Sequence, residues 1–257
     1  EQLQLGGIDF TVTAPGTYAT HLPALNLLVL PYLVESYEQG WKLFDDSKWM
    51  QAQYAKAPEK GFRFLSTFEA GFRSMTTKDA LNSPADAKGK KLRTFPNEMM
   101  RWTLESMGFT VQIMPLPEVY LAIQQGTVSG QENPIDTIHA NKFYEVAPYV
   151  TLTQHVYSPI PLTVSEKTWQ KLSPADRDAI TRAAKEAADW SRKEVRAAEN
   201  AQLADMQSKG AKIGRPALAP FRDSVQPAYA KAKEKFGADV DAILADADAI
   251  RKANPAK

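Results

Sequence analysis

The sequence predicts an α/β fold of two lobes, and three observations carry that prediction. Between Gly89 and Pro134, short apolar strands alternate with helical stretches, punctuated by glycine and proline turns. Two polar side chains, Arg93 and Asn133, fall at the ends of such strands, where open α/β sheets bind ligands. After Pro174, no glycine or proline interrupts a helical run until Gly210. At 1.5 Å per residue, that run of about 36 residues measures about 54 Å. A helix of this length exceeds the diameter of one small lobe, so it is expected to run along both.

The first residues, Glu1 to Leu5, read as the tail of a helix that Gly6 and Gly7 stop. Ile8 to Val12 reads as a buried strand, which needs parallel neighbours on both sides. Ala14-Pro15-Gly16 is the loop at its end and a pocket-edge candidate. The apolar run Leu25–Leu33, broken by Pro31, reads as core, and Trp41–Tyr54 as an amphipathic helix. Phe62–Thr67 reads as a strand, followed by a loop over Phe68–Arg73 that leads into Ser74, Met75 and Thr76.

Gly89 to Phe95 is a turn, a short strand and the start of a loop containing Pro96, with Arg93 at the strand's end. Its planar guanidinium matches a carboxylate bidentately. Val111–Met114 is the next strand. Pro117 suits a first helical turn, Val119, Leu121, Ala122 and Ile123 offer an apolar face, and Gly126 can stop the helix by taking φ > 0. Thr127 and Val128 start a strand, Gly130 is a turn, and Pro134 holds Asn133 extended. Val150–Tyr157 and Leu162–Val164 are further strands, with the chain crossing between lobes near Pro159. Ser173 is a natural N-cap, Pro174 occupies the first helical position, and Asp176 sits favourably in the first turn. A strand around Ala211–Gly214 precedes helices over Ala219–Lys235 and Ala238–Lys252, expected to pack on lobe two. The expected division is 1–70 for lobe one, 71–158 for lobe two, 159–198 for the return to lobe one, and 199–257 for the end of the long helix and the closing helices.

Composition narrows the function. Thirty-one basic and 30 acidic residues leave a net charge of +1, so nothing points to nucleic acid or an anionic membrane surface. The absence of cysteine excludes a disulfide framework, thiol catalysis and thiolate metal sites. No apolar run approaches the roughly 20 residues of a membrane span. His21, His139 and His155 are scattered, without metal-ligand spacing, and read as packing or surface histidines. The Gly89-Lys90 pair is not a phosphate loop, because Pro84 and Lys91 stand where that motif needs other residues. There is no Gly-x-Ser-x-Gly elbow, dinucleotide fingerprint or nucleophile–base pair, so no enzyme and no cofactor is expected.

Lys91-Leu92-Arg93, Met114-Pro115, Glu118-Val119-Tyr120, Gly130-Gln131-Glu132-Asn133-Pro134 and Lys142-Phe143-Tyr144-Glu145-Val146 together resemble the TRAP-type solute-binding proteins of the DctP family. The similarity runs through most of the chain. It implies a two-lobed periplasmic-binding-protein-like fold and a periplasmic receptor that delivers a small organic acid to the membrane subunits of a TRAP transporter; a monomer is expected. It also implies a strand, a helix and a second strand ahead of Glu1. The native protein is therefore expected to carry a segment that is missing here, and this chain to be mature or trimmed. A receptor feeding a signalling partner is the alternative.

Taken alone, an arginine at a strand end forms a surface ion pair or a ligand clamp. The resemblance implies that Arg93 pairs with the ligand carboxylate and that Arg73 is a second ligand-facing arginine. Asn133 either completes this clamp or is a turn residue fixed by Pro134. Glu69 either neutralises an arginine or accepts hydrogen bonds from ligand hydroxyls, the latter suiting a sugar acid. Tyr157, Leu116, Asn97 and Pro15 complete the expected binding set. Leu116-Pro117 stands where the family has an aromatic residue and a serine, and Ser129 where it has aspartate, so the ligand's identity stays open.

Overall fold

A mixed sheet frames the molecule in the computed structural model, which describes residues 1–256. Among the described residues its strands are β1 (Phe10–Val12), β2 (Phe62–Thr77), β3 (Lys91–Thr94), β4 (Thr110–Ile113), β5 (Gly130–Pro134), β6 (Tyr149–Ser165) and β7 (Lys212–Gly214). They lie in the order β1-β6-β2-β5-β3-β4, with β7 also paired to β6. β2 and β6 pair antiparallel over most of their 16 and 17 residues. β3 runs parallel to both β4 and β5, which sets the ends of β3 and β5 side by side.

The helices are α1 (Gln2–Leu5), α2 (Tyr37–Asp46), α3 (Lys48–Lys56), α4 (Glu98–Ser106), α5 (Val119–Gln124), α6 (Ile135–Ala140), α7 (Phe143–Val146), α8 (Glu166–Lys171), α9 (Pro174–Ser208), α10 (Ala219–Ser224), α11 (Gln226–Phe236) and α12 (Ala238–Ala253). Gly6 closes α1 in the left-handed region, as its position after a helical tail requires. The Ser173 hydroxyl accepts from the Asp176 N–H at 3.1 Å, and α9 then runs 35 residues, with Gly210 beyond its end at φ 98°. α9 touches both halves of the sheet. Arg192 donates to the Thr67 carbonyl in the first half of β2, and Gln202 to Asp136 on α6, just after β5.

Several expectations need correction. Phe68–Arg73 is no loop: β2 continues through it, because a β-bulge absorbs the irregular stretch. Glu69 pairs with Pro159 and Phe72 with Tyr157, so β2 carries one residue more than β6 between these pairs. β6 likewise runs unbroken through Pro159 and Pro161. There it lies between its contacts with β7 and β1 and has a neighbour on one side only, so the missing N–H groups can face the open side. β1 is antiparallel to β6 and lies at the sheet edge, with Phe10 40% and Val12 49% exposed, where a buried strand with parallel neighbours was expected. The single helix expected over Trp41–Tyr54 is two, split where Ser47 turns extended and caps α3 through the Met50 N–H. Likewise Ala219–Lys235 breaks ahead of Pro227 into α10 and α11.

The closing helices divide between two sets of neighbours. α11 lies against α4, whereas α12 lies against α2 and α3, where the Trp49 indole N–H donates to Asp239 and its backbone N–H to Asp246, both at 2.8 Å. One hydrophobic core therefore joins Leu25, Leu27 and Phe62 to Met99, Phe221 and Ile243, which confirms the apolar run from Leu25 as core. A second gathers Val119, Ile123, Ile138, Phe143, Val150 and Met206 under the α9 end of the sheet. Among the described residues no helix is long and apolar enough to cross a membrane.

Candidate functional site

Arg93 is the next-to-last residue of β3 and the register partner of Gln131 on β5. The residue is 2% exposed, and no carboxylate among the described residues hydrogen-bonds to it. Instead Nε and Nη2 donate to the Met114 carbonyl at 2.9 and 2.7 Å, which fixes the plane of the guanidinium at the end of β4. A guanidinium has five N–H donors. The Met114 carbonyl takes one from each of two nitrogens, so the Nη1–Nη2 end, an edge that can receive a carboxylate in parallel, has no hydrogen-bond partner among the described residues. Burial, with Arg73 adding to it against the pull of Glu132, lowers Arg93 to about 10, so it keeps its charge at neutral pH.

Arg73 reaches the same strand ends from β2. Its Nε donates to Glu132 Oε2 at 2.5 Å, and Nη2 to Glu132 Oε1, the Glu132 carbonyl and Asn133 Oδ1 at 2.9–3.0 Å. Its guanidinium lies over the Phe95 ring, 5.1 Å from the centroid. The Asn133 amide in turn donates to Gln131, whose own amide donates to Thr76 at 2.9 Å. The sheet thus brings Arg93, Arg73 and Asn133 near one another at its strand ends.

Glu132, which sequence reasoning quoted but gave no role, sits at the centre. Besides Arg73 it accepts from the Thr94 hydroxyl at 2.6 Å, and it lies 3.3 Å from His155 Nε2. Burial alone would raise its carboxyl, but the charge of Arg73 and the bonds from His155 and Arg73 bring it down to about 2. His155 is fully buried, and burial together with Arg73 lowers it despite Glu132. A neutral ring here donates from Nε2 to Glu132 and accepts at Nδ1 from Thr153, 2.8 Å away. His155 is therefore a buried packing histidine, as expected, but one that also holds the site's carboxylate. No local signal marks Glu132: the burial of all five residues of β5, which makes a carboxylate there need a cation beside it, is set by the strands around it.

The other members of the expected set lie elsewhere. Glu69 turns away from Arg73: one oxygen accepts from the Trp41 indole at 2.7 Å and the Tyr157 hydroxyl at 2.8 Å, the other from the Gly71 N–H at 2.7 Å. Tyr157 is buried among Tyr37, Phe44 and Phe72. Asn97 caps α4 through the Met100 N–H and donates to Asn26. Pro15 starts a short turn in which a Cβ on Gly16 would lie 2.7 Å from Asn97 Nδ2 and 3.1 Å from the Phe95 ring. That loop therefore abuts the ring on which Arg73 lies. Leu116 follows the Met114 carbonyl by two residues and is partly exposed. Among the described residues no group of acids and histidines is spaced to hold a metal.

The family model described as bacterial extracellular solute-binding protein, family 7, matches residues 1–235. The sialic acid-binding periplasmic protein SiaP of Vibrio cholerae is 32% identical over 246 residues, 95% of this chain and 76% of SiaP. A TRAP periplasmic solute binding protein from a Sulfitobacter species, solved with bound β-D-galacturonate, matches with a TM-score of 0.92 at 30% identity, over 96% of this chain and 83% of that one. Another from a Polaromonas species, bound to D-erythronate, gives a TM-score of 0.89 at 35% identity, over 95% and 81%.

Proposed function

We propose that this chain, which belongs to the bacterial extracellular solute-binding proteins of family 7, the DctP family, receives a hydroxylated carboxylate at Arg93, Arg73 and Asn133 and hands it to the membrane subunits of a TRAP transporter. The observation that carries the reading is a charge imbalance. Arg73 and Arg93 are cations, Glu132 is an anion and His155 is neutral, so the buried cluster is one positive charge in excess. A buried charge without a counter-ion is costly, and a monoanion arriving at the unpartnered edge of Arg93 removes that cost. Each charge-assisted hydrogen bond it gains contributes about 1.5–3 kcal/mol.

The relatives named above bind or are named for sialic acid, galacturonate and erythronate, each a carboxylate bearing several hydroxyls. A sugar acid is the class we propose here. The hydroxyls would meet the amides of Asn133 and Gln131, which already donate and accept in a chain. The receptor works in the periplasm as a monomer and catalyses nothing. The test is Arg93→Met: the variant folds with the parent's melting temperature to within a few degrees but loses the stabilisation that an organic-acid panel confers on the parent. A variant that keeps the full shift contradicts the reading.

A further inference from the structure

We propose that Glu69 is a positioning residue: it sets the β-bulge in β2 that turns Arg73 towards Glu132. The proposal rests on the reading of Arg73 as part of the clamp, and its test needs no ligand.

In a strand, residues four apart share a face. Glu69 and Arg73 do not. Between the pairs Glu69–Pro159 and Phe72–Tyr157, Ala70 and Gly71 together face only Ser158, and Gly71 takes φ 96°. Counted as one step, this pair leaves Glu69 on the face of Phe72, and both touch Tyr157 there. Arg73 falls on the opposite face, with Glu132. A one-residue change of register exchanges the faces of every residue beyond it. The bulge therefore decides whether Arg73 meets Glu132 or the aromatic cluster behind the sheet.

The Glu69 carboxylate holds that bulge from both ends. Oε1 folds back to accept from the Gly71 N–H, whose residue is the left-handed half of the bulge. Oε2 is gripped by Trp41 from α2 and by Tyr157 from β6. Tyr37, whose hydroxyl bonds Glu199 on α9, stands over Gly71: a Cβ there would lie 3.2 Å from that hydroxyl. The carboxylate thus ties the extra residue to the strand beside it and to a helix, without reaching the ligand cluster.

The test is a double-mutant cycle on the ligand-free chain, read as the thermal midpoint at pH 7. Residues 69 and 132 share no hydrogen-bond partner, so a merely local role for Glu69 predicts additive shifts. The proposal predicts coupling. Glu132→Gln lowers the midpoint in the parent, but in Glu69→Ala it lowers it by less than half as much, because Arg73 no longer sits on position 132. Glu69→Gln keeps an acceptor for the Gly71 N–H and restores more than half of the parent's drop. Equal drops in parent and Glu69→Ala, or a Glu69→Gln chain that behaves like Glu69→Ala, overturn it. Should Glu69→Ala fail to fold, the pair Trp41→Phe and Tyr157→Phe, which releases Oε2, takes its place with the same expected loss of coupling. A chain that passes this cycle but shows no dependence of ligand binding on Arg93 would refute the ligand reading alone.

Discussion

Arg93 differs from an ordinary strand-end arginine in how its donors are distributed. The Met114 carbonyl fixes its plane and leaves the far edge open. Arg93→Lys should therefore weaken ligand binding even though it preserves charge, because an ammonium offers no parallel pair of donors. Calorimetry against any acid the parent binds checks this, and equal affinity would contradict it. The pH dependence follows from Glu132 and His155. His155 lies below its ordinary 6.5 when folded, so as pH falls through 6.5 the unfolded chain takes up a proton that the folded ring refuses, and stability drops. Glu132, lowered from 4.5 to about 2, contributes stability above 4.5 that is lost on further acidification. The melting temperature should thus decline from pH 7 to 5, and His155→Gln should flatten that decline; an unchanged slope would refute it. Arg93, Arg73 and Asn133 were legible because a family motif surrounds them. Glu132 and His155 were not, since their roles depend on four strands meeting, which no local pattern records.

At the scale of elements, what a few neighbouring residues decide was readable and what a register decides was not. Ser173, Pro174 and Asp176 announce α9, and Gly210 its end, because each acts on the backbone beside it. Ser173→Ala should lower unfolding free energy by about 1 kcal/mol in urea titration; no loss would mean that the cap hydrogen bond contributes nothing. β2 and β6 were each read in pieces, since Gly71 and the prolines at 159 and 161 break the alternation that marks a strand. The sheet tolerates them because a bulge takes up one residue and an unpaired side accommodates the prolines. The same limit explains Glu69: on unbroken alternation it would share Arg73's face, and only the bulge separates them.

Across the whole molecule, β2, β6 and α9 run through both halves of the sheet, and the Pro15–Gly16 loop meets Phe95 beside the arginine cluster. A ligand bound there touches segments far apart in the chain, so saturating ligand should shrink the radius of gyration in small-angle scattering. No change on binding would speak against closure. The claim on which everything else depends is that the buried cluster lacks one negative charge. The most direct measurement compares the thermal shift produced by each acid of an organic-acid panel with that of its uncharged primary amide. The account predicts at least one sugar acid that raises the midpoint by several degrees while its amide leaves it unmoved; an amide that stabilises the protein as well as its acid, or a panel in which no acid stabilises it, would contradict it.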